Sequence, residues 1–416
     1  MKEPTPGTGM RLGTSHRNGQ HDMKTLATTL TTLALLATCG PAPAAGDALA
    51  GKFEGKLDPF LGGPKFAMQE LFKGRGGRNI VTAQDGTVLV NNGKTVRRST
   101  DGGKTWSDAA EIGSDATGNA IVDEQTGGIM LINPNGYRWI SADAGLTWTR
   151  EEIKVLPNKM GHGAGGKDLN ANCFQPGVTL QFGKYKGRLI TPVRWSPSNE
   201  LMWRPVIYNT AIYSDDRGKT WQTSNPFPVL GTGEAALAEI SDGRILYSSR
   251  EHMTRGNRFF AWSYDGGERW LNFWRSDILP DGARGSSYGC MGGLIRLPIE
   301  GRDILIYSNL DCGGGVTPKI AQAGASSGGG REKITVWASF DGGETWPMKR
   351  LVFGGPSAYS NLGVGRKGTP SEGMIYLAFE GGKNMYEAVQ VAAFNLSWLR
   401  QGVKTGNGEV PQWVLP

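Results

Sequence analysis

Ser339-Phe340-Asp341-Gly342-Gly343-Glu344-Thr345-Trp346 is the last of five copies of one phrase, S-x-D-x-G-x-x-W. The other copies start at Ser99, Ser141, Ser214 and Ser263 and end at Trp106, Trp148, Trp221 and Trp270. Four fixed positions matched five times over are not chance. The phrase makes sense as a hairpin turn. Asp accepts hydrogen bonds from nearby backbone N–H groups, Gly supplies a positive φ, and Ser or Thr bonds locally. The Trp then folds back over the turn and buries a large apolar face. Ahead of the last copy, Ile334, Val336 and Ala338 alternate with Lys333, Thr335 and Trp337, which is strand periodicity. Repetition at intervals of roughly 40–50 residues, or near multiples of that, belongs to propellers and solenoids.

The phrase resembles the Asp-box of sialidase-type propellers. The resemblance implies an all-β, six-bladed β-propeller of the sialidase type, with the boxes on its outer rim. They therefore inform the fold and not the chemistry. At roughly 45–60 residues per blade, six blades fit between residues 70 and 400. Gly makes up 63 of 416 residues, about twice the usual ~7%, which suits many tight turns. One closed propeller forms one unit, so the length is not divided into several domains.

The flanks read differently. Met23-Lys24, an apolar stretch from Leu26 to Ala37 and Ala42-Pro43-Ala44 have the pattern of a secretory signal peptide. Residues 1–45 are thus expected to be a leader starting at Met23, 46–69 a linker and 401–416 a C-terminal tail. The apolar stretch is too short to span a bilayer. Cys39 weakly resembles a lipoprotein attachment site; the main expectation is a secreted or periplasmic protein. Cys173, Cys290 and Cys312 allow at most one disulfide and show no metal spacing. The net charge of +7 is dispersed among acidic residues, with no polybasic block, so nucleic acid is not an expected partner. No cofactor or metal is expected, and the chain is expected to be a monomer.

Four segments carry candidate chemistry. Glu234 and Arg250 stand at the two open ends of a strand–turn–strand segment built around Ser241-Asp242-Gly243, so a hairpin brings them together. The segment resembles the sialidase pattern in which the Glu takes a proton from a catalytic Tyr and the Arg grips the sugar carboxylate. Arg331 heads the strand that leads into the last Asp-box, where sialidases place another arginine of a carboxylate-binding trio. Tyr359 in Ala358-Tyr359-Ser360-Asn361-Leu362, followed by Glu380, resembles the segment that carries the nucleophile and a Glu that orients an arginine. Arg75 matches the first-blade arginine, with Arg78 as its competitor.

The set suits an acid sugar on physical grounds. Sialic acid carries a carboxylate on its anomeric carbon, and converging guanidiniums give it bidentate, charge-assisted hydrogen bonds. A carboxylate nucleophile would be repelled there. A neutral Tyr activated by Glu is not, and the bound anion favours the oxocarbenium-like transition state. The resemblance therefore implies exo-acting, retaining hydrolysis of a terminal sialic acid or related 2-keto-3-deoxy acid sugar on a sialoglycan.

One departure matters. Sialidases hold an acid/base Asp between the first hairpin and the first Asp-box. Here Asn91-Asn92-Gly93-Lys94-Thr95-Val96-Arg97-Arg98 has no Asp or Glu. His162 and Asp168, in a Gly-rich loop, are candidate replacements, and His252 is another. Trp195 and Trp203 either shape the pocket or pack structurally. The missing acid keeps two alternatives open: a non-catalytic carbohydrate-binding propeller, or a glycosidase or lyase acting on another acidic sugar.

Overall fold

The computed structural model describes residues 52–76, 79–163, 169–172 (backbone alone), 175–196, 206–253, 256–282, 289–312 and 331–415. The leader to residue 51, Arg78, Asp168, Cys173 and Trp203 lie outside these. Among the described residues, no helix is long and apolar enough to cross a membrane. Cys290 and Cys312 are not bridged.

The described chain is an all-β propeller. The four-stranded sheets run up and down in chain order, as in Asn79–Thr82, Val88–Asn92, Thr95–Ser99 and Ala110–Glu111. A second sheet holds Asn119–Val122, Ile129–Asn133, Tyr137–Ser141 and Thr149–Glu152, and a third holds Thr232–Glu239, Ile245–Glu251, Asn257–Ser263 and Leu271–Pro280. A six-stranded sheet forms around Leu189–Ser196 and Tyr208–Ser214. Hydrogen bonding thus gives five sheets and not six separate four-stranded ones, because the last sheet has eight strands. The cause is one 17-residue strand, Met348–Val364. Its first half pairs with Glu332–Ser339 and its second half with Ile375–Gly381.

Apolar faces pack sheet on sheet around the ring. Ala236, Leu246 and Phe260 meet Leu305, Tyr307 and Trp337 of the next sheet, and Ile80, Val88 and Val90 meet Tyr376, Ala378 and Val391. The halves of the eight-stranded sheet also pack together, Ile306 and Val336 against Leu362 and Leu377. The ring closes when Phe66–Lys73 adds to Ala388–Phe394, so the first strand completes the last sheet. That strand begins inside the stretch read as linker, where Phe60 is also anchored in the core. Val403–Lys404, in the stretch read as tail, pairs with Met348 and Lys349. Inner-strand ends around Thr82, Glu124, Glu239 and Val364 line a cavity of about 170 Å³.

The five boxes share one geometry. Ser Oγ donates to Asp Oδ1 at 2.7–2.9 Å and accepts from the box Gly N at 2.8–2.9 Å. Asp Oδ1 in turn takes the backbone N–H four residues on, at 2.8–3.0 Å. The box Gly needs its positive φ, and at Gly267 a Cβ would stand 2.0 Å from Ile190 of the neighbouring sheet. Ser339 stands eight residues along the strand from Arg331, so the box lies roughly 25 Å from the end that carries the arginine.

Asp265→Ala should therefore cost about 2 kcal/mol of stability, read in urea unfolding, and leave substrate affinity unchanged. A selective loss of affinity would contradict the rim placement. Partial desolvation pushes the Asp101 and Asp143 carboxyls up. Hydrogen bonds from Thr105 and Ser99, and from Thr147 and Ser141, more than reverse this and bring each to about 2. A carboxyl held below its unfolded value stabilises above that value and loses the effect as pH falls through the folded one. Stability should thus drop between about pH 4 and pH 2, and the slope should flatten in the Asp101→Asn/Asp143→Asn variant. An unchanged slope would contradict this.

Candidate active site

Glu234 and Arg250 meet because their hairpin is not regular. Ala235 pairs with Ser249, but Thr232 pairs with Glu251, so one extra residue sits in the first strand. This bulge at Gly233–Glu234 re-aims the carboxylate toward Arg250. Gly is required there, since a Cβ would stand 1.7 Å from His252 Nε2. Arg250 Nη1 donates to Glu234 Oε2, and both side chains are buried. Tyr359 stands on a second bulge, between the Ser357↔Gly381 and Ser360↔Phe379 pairs. Its hydroxyl donates to Glu234 Oε1 at 3.1 Å and accepts from Arg250 Nη1 at 3.3 Å.

The other two arginines surround the same ring. The guanidiniums of Arg75 and Arg331 each lie 5.4 Å from the Tyr359 ring centre, and that of Arg250 lies 5.9 Å away. Arg75 is half exposed, and its Nε is 3.4 Å from the fully buried Glu380. Glu380 also accepts the Tyr359 backbone N–H at 3.3 Å, so one carboxylate holds both the Tyr359 backbone and the arginine. Arg331 is buried, and its Nη2 donates to Gly289 O at 2.9 Å.

The electrostatics favour an anionic guest. Burial would raise the Glu234 carboxyl, but Arg250 above all, then His252 and Arg194, hold it well below the usual carboxylate range. Burial, reinforced by Glu234, holds the Tyr359 phenol above its ordinary value, against the pull of Arg250 and Arg331. Burial pushes the Cys290 thiol up to about 11, so it adds no anion. Three guanidiniums face two carboxylates, which leaves positive charge for a ligand. No group of His, Cys, Asp and Glu among the described residues could hold a metal ion.

Of the expected residues, Arg75, Glu234, Arg250, Arg331, Tyr359 and Glu380 come together. Arg78 and Asp168 lie outside the described residues. His162 meets Tyr208 edge-on at 5.5 Å and shares a turn with Asn158. Trp195 is a core residue. His252 Nε2 is 4.0 Å from Glu234 Oε2. The first hairpin turns tightly, with Asn92 paired to Thr95 and no carboxylate in between.

Sequence reading missed what lies behind Glu234. Arg258 is fully buried and donates to Asp281 Oδ1 at 2.7 Å, Ser248 Oγ at 3.0 Å, Cys290 O at 3.0 Å and Glu234 O at 3.3 Å. It thus ties three strands to Asp281 and Cys290. Its only sequence signal is that it alternates in phase with Phe260 and Trp262 along its strand.

The fold and this cluster define a propeller of the sialidase type. The chain belongs to the BNR repeat-like domain family, whose profile matches residues 95–371. It is 27% identical to a sialidase of Micromonospora viridifaciens over 336 residues, covering 73% of this chain and 46% of that protein. It is 32% identical to Sialidase-4 of Mus musculus over 169 residues, covering 39% of this chain and 34% of that protein. The chain spans about half the length of the curated relatives that head the comparison. Among solved structures, a Hadza microbial sialidase superposes with a TM-score of 0.56 at 22% identity, covering 80% of this chain and 66% of the other. A leech intramolecular trans-sialidase complexed with 2,7-anhydro-Neu5Ac gives 0.54 at 15%, covering 80% and 69%. These likenesses show the shared fold.

The brace behind Glu234 has a direct test. Arg258→Met leaves Asp281 buried without its cation and should cost about 3–5 kcal/mol, read in denaturant unfolding. Asp281→Asn keeps an acceptor oxygen for Arg258 and should cost less. Equal, small losses would contradict the brace.

Proposed function

We propose that this chain is an exo-acting, retaining glycoside hydrolase for a terminal sialic acid or related 2-keto-3-deoxy acid sugar. The observation that carries the reading is the Tyr359 hydroxyl between Glu234 and Arg250, with Arg75 and Arg331 around its ring. Arg75, Arg250 and Arg331 take the sugar carboxylate. Tyr359 attacks the anomeric carbon as the glycosidic bond breaks; the phenol proton passes to Glu234, and the aglycone oxygen leaves with a proton from solvent. Glu380 steadies Arg75. Water then releases the sugar with retained configuration.

Substrate binding helps this proton transfer. In the empty site, Arg250 makes Glu234 a weak base and the phenol is a weak acid. A bound carboxylate shares the field of Arg250 and Arg331, so Glu234 becomes more basic as the reacting atom arrives. Proton acceptance is thereby coupled to the presence of an acidic sugar.

The tight hairpin at Asn92–Thr95 favours one competing reading, a propeller that binds acidic sugars and turns them over poorly. Leaving groups separate the two. General acid help is typically worth about 10²–10⁴-fold on a poor leaving group and little on a good one. Turnover of a fluorogenic sialoside supports the hydrolase. Binding without turnover supports the competitor, and activity on uronides alone would overturn both.

We also infer that the two halves of the eight-stranded sheet serve as separate blades, which gives six around the axis. The change of partner along Met348–Val364 and the face-to-face packing of the halves support this. An experimental structure with that strand running straight through one flat sheet would contradict it.

Tyr359→Phe should lower kcat/KM on the fluorogenic sialoside roughly 10³-fold or more with unfolding unchanged. Near-wild-type activity would remove the nucleophile assignment.

A further inference from the structure

We propose that Tyr386 is a further ligand for the carboxylate of the bound sugar, acting between Arg75 and Arg331. The inference rests on the acid-sugar reading above and adds a residue to it.

Backbone register brings Tyr386 there. Phe66–Lys73 and Ala388–Phe394 are antiparallel, and their last pair is Lys73↔Ala388. Two places further on, Arg75 leaves one strand as Tyr386 enters the other. Gly74 N donates to Glu387 O at 2.7 Å, so the two chains stay joined past the ladder. The Arg75 guanidinium accordingly lies 4.6 Å from the Tyr386 ring centre. The turn is closed from within, with Tyr386 N donating to Asn384 Oδ1 at 3.0 Å and Lys383 N to the Glu387 carboxylate.

The phenol also meets the second arginine. Arg331 Nη1 donates to Tyr386 OH at 3.0 Å, while Nη2 of the same fork donates to Gly289 O. Those two acceptors fix the plane of the guanidinium. Arginine has no acceptor to offer, so the Tyr386 hydroxyl keeps its own hydrogen. No described residue takes that hydrogen. Tyr386 is half-buried, so a ligand can reach it. An O–H donor flanked by two guanidiniums suits an oxyanion. The carboxylate that Arg75 and Arg331 would grip is the group that meets all three.

The test uses the full chain and 2,3-didehydro-sialic acid, a carboxylate-bearing ring without a leaving group. Calorimetry gives its Kd, and a fluorogenic sialoside gives KM and kcat. Tyr386→Phe keeps the ring beneath Arg75 and removes the hydroxyl. It should weaken binding and raise KM about tenfold, with kcat changed by less than about threefold and melting unchanged. With Arg331→Lys, the two losses should be less than additive, because the groups share one contact. Wild-type affinity in Tyr386→Phe would overturn the inference while the acid-sugar reading stands. A wild-type chain that neither binds the analogue nor cleaves the sialoside would overturn that reading, and this inference with it. Unchanged Kd with slower release of poor leaving groups alone would make Tyr386 a proton donor and also overturn the carboxylate role.

Discussion

Two opposite charges buried side by side, Glu234 and Arg250, set the terms for this structure. Removing a carboxylate and a guanidinium from water costs several kcal/mol each, and their attraction offsets that only when the geometry is good and the remaining donors are met. Here the carboxylate also receives the Tyr359 hydroxyl, and the backbone oxygen of Glu234 receives Arg258. The pair is therefore not a surface ornament. It holds a phenol against an ionised carboxylate in a site with spare positive charge, the arrangement a neutral nucleophile for an anionic sugar requires.

The rest of the fold serves that juxtaposition. Two β-bulges turn Glu234 and Tyr359 away from the alternation of their strands. Closing the ring with the first strand brings Arg75 to the last sheet, beside Glu380 and Tyr386. The site thus exists only when the propeller is closed, so folding and assembly of the site are one event. The cavity of about 170 Å³ is lined by the opposite ends of the same inner strands, Glu239 where the site has Glu234. It is therefore separate from the chemistry.

Much of this was written in local patterns. The five boxes report the turn chemistry directly, because each satisfies its own Ser, Asp and Gly within a few residues. Glu234 and Arg250 were legible as the open ends of one hairpin. Arg331 was legible through its register with the last Asp-box, and Glu380 through the resemblance of its segment to the sialidase pattern. What was not legible depends on long-range geometry. Tyr386 has no motif, and only the pairing of residues 73 and 388 carries it to Arg75. Arg258 sits in an alternating strand, and its partner Asp281 follows the end of the neighbouring strand, where Pro280 pairs with Asn257. Met348–Val364 is one continuous strand shared by two sets of partners, which changes the sheet count. Pairing also reaches into the stretches expected to be linker (46–69) and tail (401–416), through Phe66–Lys73 and Val403–Lys404.

The central claim is that Tyr359, activated by Glu234, forms a covalent bond to the sugar. A 2,3-difluoro sialic acid slows the release of such an intermediate, so peptide mass spectrometry after brief exposure tests the claim directly. The account expects one sugar mass on the peptide that contains Tyr359, with none when Tyr359 is Phe. Steady release of fluoride with no adduct on that peptide, or an adduct on a carboxylate instead, would contradict it.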